Sequence, residues 1–123
     1  MGKKVRLHGI FRTVKVRGAS TAAVTLAGLD AGQTLDGLTL VEGDRVLLKD
    51  QASAAANGVY VINADTVAPT RAADWAVGAD VVGYAVRVYA GTANANTVWA
   101  VYAQPAIVNT NAPQFIQHER NGA

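Results

Sequence analysis

The chain has 123 residues, enough for one domain and too few for two of ordinary size. It holds no cysteine, which excludes disulfides, zinc–thiolate sites and thiol chemistry. No run of about 18 apolar residues exists to cross a membrane as a helix, and the formal net charge of +2 conceals an uneven distribution.

Residues 1–17 hold Lys3, Lys4, Arg6, Arg12, Lys15 and Arg17 and no acid, a formal +6. Residues 18–123 hold five bases against nine acids, a formal −4. The expected organisation is a basic N-terminal arm over 1–17, a β-domain over 18–118 and a polar tail over 119–123. The opening MGKKVRLHGIF lacks a continuous apolar stretch and a small-residue cleavage site, so no signal peptide is expected. An arm of this charge seeks an acidic surface, either nucleic acid or the acidic face of a protein subunit. Within it Val5, Leu7, Val14 and Val16 alternate with Arg6, His8, Lys15 and Arg17. That period predicts half-buried strands interrupted near Gly9, with the bases either guarding an edge or docking a partner.

Beyond the arm, Ala22–Leu29 is a short apolar run that reads as a strand, followed by a turn at Asp30-Ala31-Gly32. Asp36-Gly37 predicts a tight hairpin corner, because Gly tolerates positive φ and Asp bonds its own backbone. Gly43-Asp44 supplies a further turn, and Arg45–Lys49 a strand. Asp50 is expected to cap one or two helical turns through Ala56. Asn57-Gly58 ends them, with Gly58 left-handed, and Val59–Ile62 follows as a strand. Pro69 bars a central strand at its position. Thr70–Trp75 reads as a connector with Trp75 tucked against the body.

The last third is the most strand-like. Val81–Ala90 and Val98–Ala103 alternate in period two and are joined by a turn over 91–96, a plausible hairpin. Gln114–His118 reads as a short closing strand. Short strands separated by turn signals predict an all-β fold, a small β-sandwich or barrel of short antiparallel strands with one helical turn near 50–56.

Chemistry-bearing residues are sparse. His8 and His118 are the only residues of the type whose ordinary chemistry suits acid–base work near neutrality. Neither Ser20 nor Ser53 sits in a nucleophile elbow. Two distant histidines give no metal-ligand spacing. Asp44 and Asp50 lie about 20 Å apart along an extended strand, beyond the roughly 5–9.5 Å of paired glycosidase carboxyls. Turn chemistry suits them better. No enzyme activity, cofactor or metal is expected. Tyr89 and Trp99 fall opposite the valine-rich registers of their strands and could form an exposed aromatic surface for a sugar ring or a partner.

One string of motifs carries a resemblance. It runs Asp36-Gly37, VEGDRVLLKDQ from Val41, NGVYV from Asn57, TRAAD from Thr70 and AGTANANTVW from Ala90. Taken in order, over about Val14 to Gln117, it resembles a module of tailed-bacteriophage structural proteins found in tail-fibre and other virion-surface chains. The resemblance implies a β-rich, non-enzymatic building block that oligomerises or is displayed on a particle. Here the module fills nearly the whole sequence behind a basic leader, which suits a head-decoration protein or a tail or fibre adaptor. The expected location is the virion, after assembly in the host cytoplasm. The expected partners are further copies, as a trimer or larger ring, and other virion subunits. A host-surface glycan is the alternative; neither membrane nor nucleic acid is expected.

Overall fold

The computed structural model describes residues 12–101, 106–111 and 113–118. The fold is all-β, with ten short strands among the described residues. In chain order these are β1 (Arg12–Val16), β2 (Gly18–Ala19), β3 (Thr34–Leu35), β4 (Leu38–Thr39) and β5 (Arg45–Leu48), then β6 (Gly58–Val61), β7 (Thr70–Arg71), β8 (Tyr84–Val88), β9 (Thr97–Val101) and β10 (Phe115–Gln117). Among the described residues helical structure is confined to single 3-10 turns at Leu26–Gly28, Ala54–Ala56 and Ala73–Trp75.

Sheet one has the order β10-β9-β8-β1 and sheet two the order β2-β5-β6-β7, with β3 and β4 forming a separate hairpin. The sheets are open, so of the two expected architectures the closed barrel is absent. Five pairings are antiparallel, but β1 runs parallel to β8 and β2 parallel to β5. One extended segment, residues 12–19, therefore crosses from sheet one into sheet two. Arg17 is the crossing point: its N–H donates to Arg45 O at 2.8 Å, and its own carbonyl accepts from Ala90 at 2.9 Å. The boundary drawn from charge at residue 17 thus falls at the bend between β1 and β2, where the chain passes from one sheet to the other.

Alternation explains the packing. Val14 and Val16 of β1 are buried between exposed Thr13 and Lys15. They join Val86, Val88 and Val101 of sheet one, Leu47 and Val59 of sheet two, and the fully buried Trp75 in one core. The opposite face of sheet two is also covered. Val46, Leu48 and Tyr60 pack there with Leu29, Leu35, Leu40 and Ile62 in a second core. Burial on both faces is why β5 reads as an unbroken apolar run, Val46-Leu47-Leu48, rather than an alternating one. Each such side chain stabilises the fold by about 1.5–3 kcal/mol. Trp75 lies edge-on to Tyr84 and stacks on Phe115, with centroids 5.9 and 5.8 Å away.

Two local expectations are corrected. Ala22–Leu29 is not a strand: Thr21, Ala22 and Ala23 are exposed, and a 3-10 turn follows at Leu26–Gly28. A side chain substitutes for a neighbouring strand there. Val24 N–H donates to Gln51 Oε1 at 2.9 Å, and Gln51 Nε2 donates to Val24 O at 3.0 Å. Asp50 caps no helix either. It accepts from Ser20 Oγ at 3.2 Å and from Lys49 Nζ at 2.9 Å, and the turn at Ala54–Ala56 has no side-chain cap.

Candidate docking surface

The motif residues form interlocks between distant parts of the chain. Asp36 and Gly37 adopt φ of 49° and 81°, the positive values a two-residue hairpin corner demands. The corner then binds the loop between β8 and β9. The Asp36 carboxylate accepts N–H bonds from Ala93 at 3.0 Å and Asn94 at 2.9 Å, and Asp36 O accepts from Thr92 at 2.9 Å. A Cβ on Gly37 would strike the Thr92 hydroxyl, and one on Gly91 the Asp36 carboxylate. Buried Asn94 reaches on to sheet two, donating to Ala19 O and Ser20 O at 3.3 and 3.2 Å.

Gly43 has φ of 95°, and Asp44 beside it accepts from Val41 N–H at 2.9 Å and pairs with Arg17 at 2.5 Å. Arg45 forks onto Asp74 at 3.0 and 3.2 Å and donates to Lys15 O at 3.1 Å, so β1 is held from its far side. Asn57 is buried, accepting from Gln51 N–H at 2.9 Å and donating to Pro113 O at 3.0 Å. Gly58, with φ of 152°, serves close approach more than turning: a Cβ would lie 2.5 Å from Arg71 Nη1 and 3.2 Å from Trp75. Arg71 fits that slot, donates to Asn57 O and Ala55 O at 3.0 Å each, and lies over the Tyr60 ring. Burial pushes the Tyr60 phenol above its usual pKa, partly offset by the Arg71 charge. Burial likewise lowers the Arg71 guanidinium.

Of the six arm bases, Lys3, Lys4 and Arg6 lie outside the described residues. Arg17 is committed to Asp44 and to Thr39 O at 2.9 Å. Arg12 lies 3.9 Å from Asp74 and packs over Tyr84. Lys15 is different. It projects from the outer face of sheet one, and the parallel register sets it beside Arg87 of β8. Arg87 leans over the Tyr89 ring at 5.1 Å. Arg12, Lys15 and Arg87 are the three charges of the four strands of sheet one, which contain no acid. Like charges on adjacent strands cost stability, and no carboxylate within the sheet offsets this pair.

The two aromatics singled out from sequence point to opposite sides. Trp99 stands opposite Val86, and Val86 opposite Val14, so Trp99 belongs to the inner face and packs against the first core. Its Nε1 donates to Thr97 Oγ1 at 2.9 Å, and Lys49 Nζ covers its ring at 4.3 Å. Tyr89 is 45% exposed and follows Arg87 on the outer side. The structure thus brings together Lys15, Arg87 and Tyr89. Sequence reading missed Arg87 because its neighbour is set by a non-local parallel pairing. Among the described residues no group of three His, Asp or Glu side chains converges to hold a metal, and no helix is long and apolar enough to cross a membrane.

No family model, curated protein or solved structure matches this chain.

Proposed function

We propose that the chain is a non-enzymatic structural component of a bacteriophage particle, a head-decoration piece or a tail or fibre adaptor. It docks onto an acidic surface of a neighbouring virion subunit through its basic leader and the outer face of sheet one, and it displays the rest of the β-body. The observation that carries this reading is the Lys15–Arg87 pair on a sheet without acids. A like-charge pair retained at a cost to the fold is accounted for by an external anionic partner. The motif string supports the particle assignment. Each motif residue described above holds the scaffold together, as expected of a building block whose signature is its fold. The glycan alternative has less support, because Trp99 and Tyr89 lie on opposite sides of sheet one.

The test is co-sedimentation of the purified chain with particles assembled without it, across a salt series. Binding at about 0.05 M salt that is lost by about 1 M salt is expected, since screening shortens the reach of exposed charges to about 3 Å. Binding that ignores salt, or no binding at either limit, overturns the reading.

A further inference from the structure

Among the described residues the two main sheets have four lateral edges, and three are blunted. β1 meets the start of β5 on its far side, through Arg45 Nε to Lys15 O and Arg17 N–H to Arg45 O. β2 is capped by the Asn94 amide. β7 is two residues long and directly follows Pro69. Among the described residues β10 has no such device. Its sequence, Phe115-Ile116-Gln117, carries no charge, proline or glycine, and Ile116 is 56% exposed. Among the described residues, no strand pairs with the side of β10 away from β9. Unguarded edges of this kind accept further strands.

The register identifies the groups on offer. His118 N–H donates to Val98 O at 2.7 Å, so His118 and Val98 form a hydrogen-bonded pair of the antiparallel ladder. Alternation then makes Ile116–Ala100 hydrogen-bonded, and makes Gln117–Trp99 and Phe115–Val101 non-hydrogen-bonded. The N–H and C=O groups of Phe115 and Gln117 therefore point away from β9.

We propose that this edge is a contact between two copies of the chain, β10 pairing antiparallel with β10 about a two-fold axis at Ile116. The edge is self-complementary: Phe115 exchanges both backbone bonds with the partner's Gln117, and Gln117 does the same with the partner's Phe115. Ile116 meets its own counterpart with Cα atoms about 4.5 Å apart, the close spacing of a non-hydrogen-bonded pair. Charge selects this occupant over the leader of another copy. The three bases of sheet one lie on β8 and β1, away from the uncharged β9 and β10, so a second β10 brings no charge to the contact, whereas a basic leader would find no acid in the sheet to pair with. The merged sheet would make the two cationic outer faces continuous. Its use in docking rests on the function proposed above, whereas the contact itself is a property of the purified chain. A two-fold contact closes on itself, unlike the ring expected from sequence, which needs two different surfaces.

Cysteine trapping tests the contact in a chain that has no native cysteine. Ile116→Cys places two thiols within disulfide reach across the axis. Val77→Cys, at a position 65% exposed elsewhere on the surface, is the control. Under mild oxidation Ile116→Cys is expected to form a linked dimer at least about tenfold faster than the control, because pairing raises the effective thiol concentration. Ultracentrifugation of the unmodified chain should show a concentration-dependent dimer. Gln117→Pro should abolish it by removing an outward donor that β9 does not use, and Ile116→Lys, which leaves the backbone intact, should do the same. Equal trapping rates, or a wild-type chain that stays monomeric, overturn the proposal. Wild-type dimers that fail to load onto particles would remove the virion reading and leave this contact standing.

Discussion

The Asp36 carboxylate accepts the backbone N–H of Asn94 at 2.9 Å, across 58 residues of sequence. This bond and its neighbours fasten the β3–β4 corner to the loop between β8 and β9, and Asn94 carries the connection on to β2. Asp36→Ala removes the acceptor and places a Cβ-bearing residue without a compensating bond at φ 49°. It should destabilise the fold by about 2–3 kcal/mol. Urea unfolding of the variant against wild type measures this, and a loss under about 0.5 kcal/mol would show that the interlock carries little.

Two glycines with positive φ should respond differently to alanine. Gly43, at φ 95°, has nothing within 4 Å of an added methyl, so Gly43→Ala should cost only backbone strain, about 1 kcal/mol. Gly58→Ala drives a methyl against Arg71 and Trp75 in addition. Its cost should exceed that of Gly43→Ala by about 1–3 kcal/mol. Equal midpoints in denaturant for the two variants would contradict the close-approach role of Gly58.

Tyr60 links stability to alkaline pH. Its folded pKa is raised by burial, so the folded chain keeps the phenolic proton where the unfolded chain loses it. This contribution is fully present below the unfolded pKa near 10 and is lost as pH rises through the folded value. Arg71, lowered by burial, acts in the opposite sense but only toward the arginine range. Tyr60→Phe should cost about 1 kcal/mol near neutrality, from the lost bond to Ala56 O at 2.5 Å. The deficit should shrink above about pH 10. Unfolding midpoints of both chains across that range check it; a constant difference would contradict the shift.

Lys15 and Arg87 should oppose one another within the folded chain. Lys15→Gln keeps the length and removes the charge, so at low salt it should leave stability unchanged or raise it by about 0.2–1 kcal/mol. The gain should vanish at about 1 M salt, where exposed charges are screened. Thermal melts at the two ionic strengths test this, and a destabilisation at low salt would mean that Lys15 has a stabilising partner.

What was legible in the sequence was local. The Asp36-Gly37 corner, the β8–β9 hairpin and the buried Trp75 follow from turn chemistry and strand alternation within a few residues. Long-range pairing was hidden. Period two shows that Trp99 and Val98 face opposite ways, but only the register through Val86 to Val14 decides which of them faces the core. Gly58 reads as a turn residue until Arg71 and Trp75 are placed beside it. Ala22–Leu29 looks like a strand because apolar composition cannot reveal that Gln51 satisfies Val24. The arm boundary at residue 17 followed charge, whereas Val14 and Val16 belong to the core. Any truncation that tests the leader must therefore stop before Arg12.

The central claim is that the cationic outer face of sheet one attaches this body to a particle. Its most direct test is the copy number of a Lys15→Glu, Arg87→Glu double variant in purified particles, measured by quantitative mass spectrometry beside wild type. Both positions are away from the cores, so the variant should fold and melt within about 1 kcal/mol of wild type. The account predicts a folded chain that is absent from particles or reduced at least about tenfold, the effect of about 1.4 kcal/mol in docking free energy. A charge-reversed chain that loads at the wild-type copy number would contradict it.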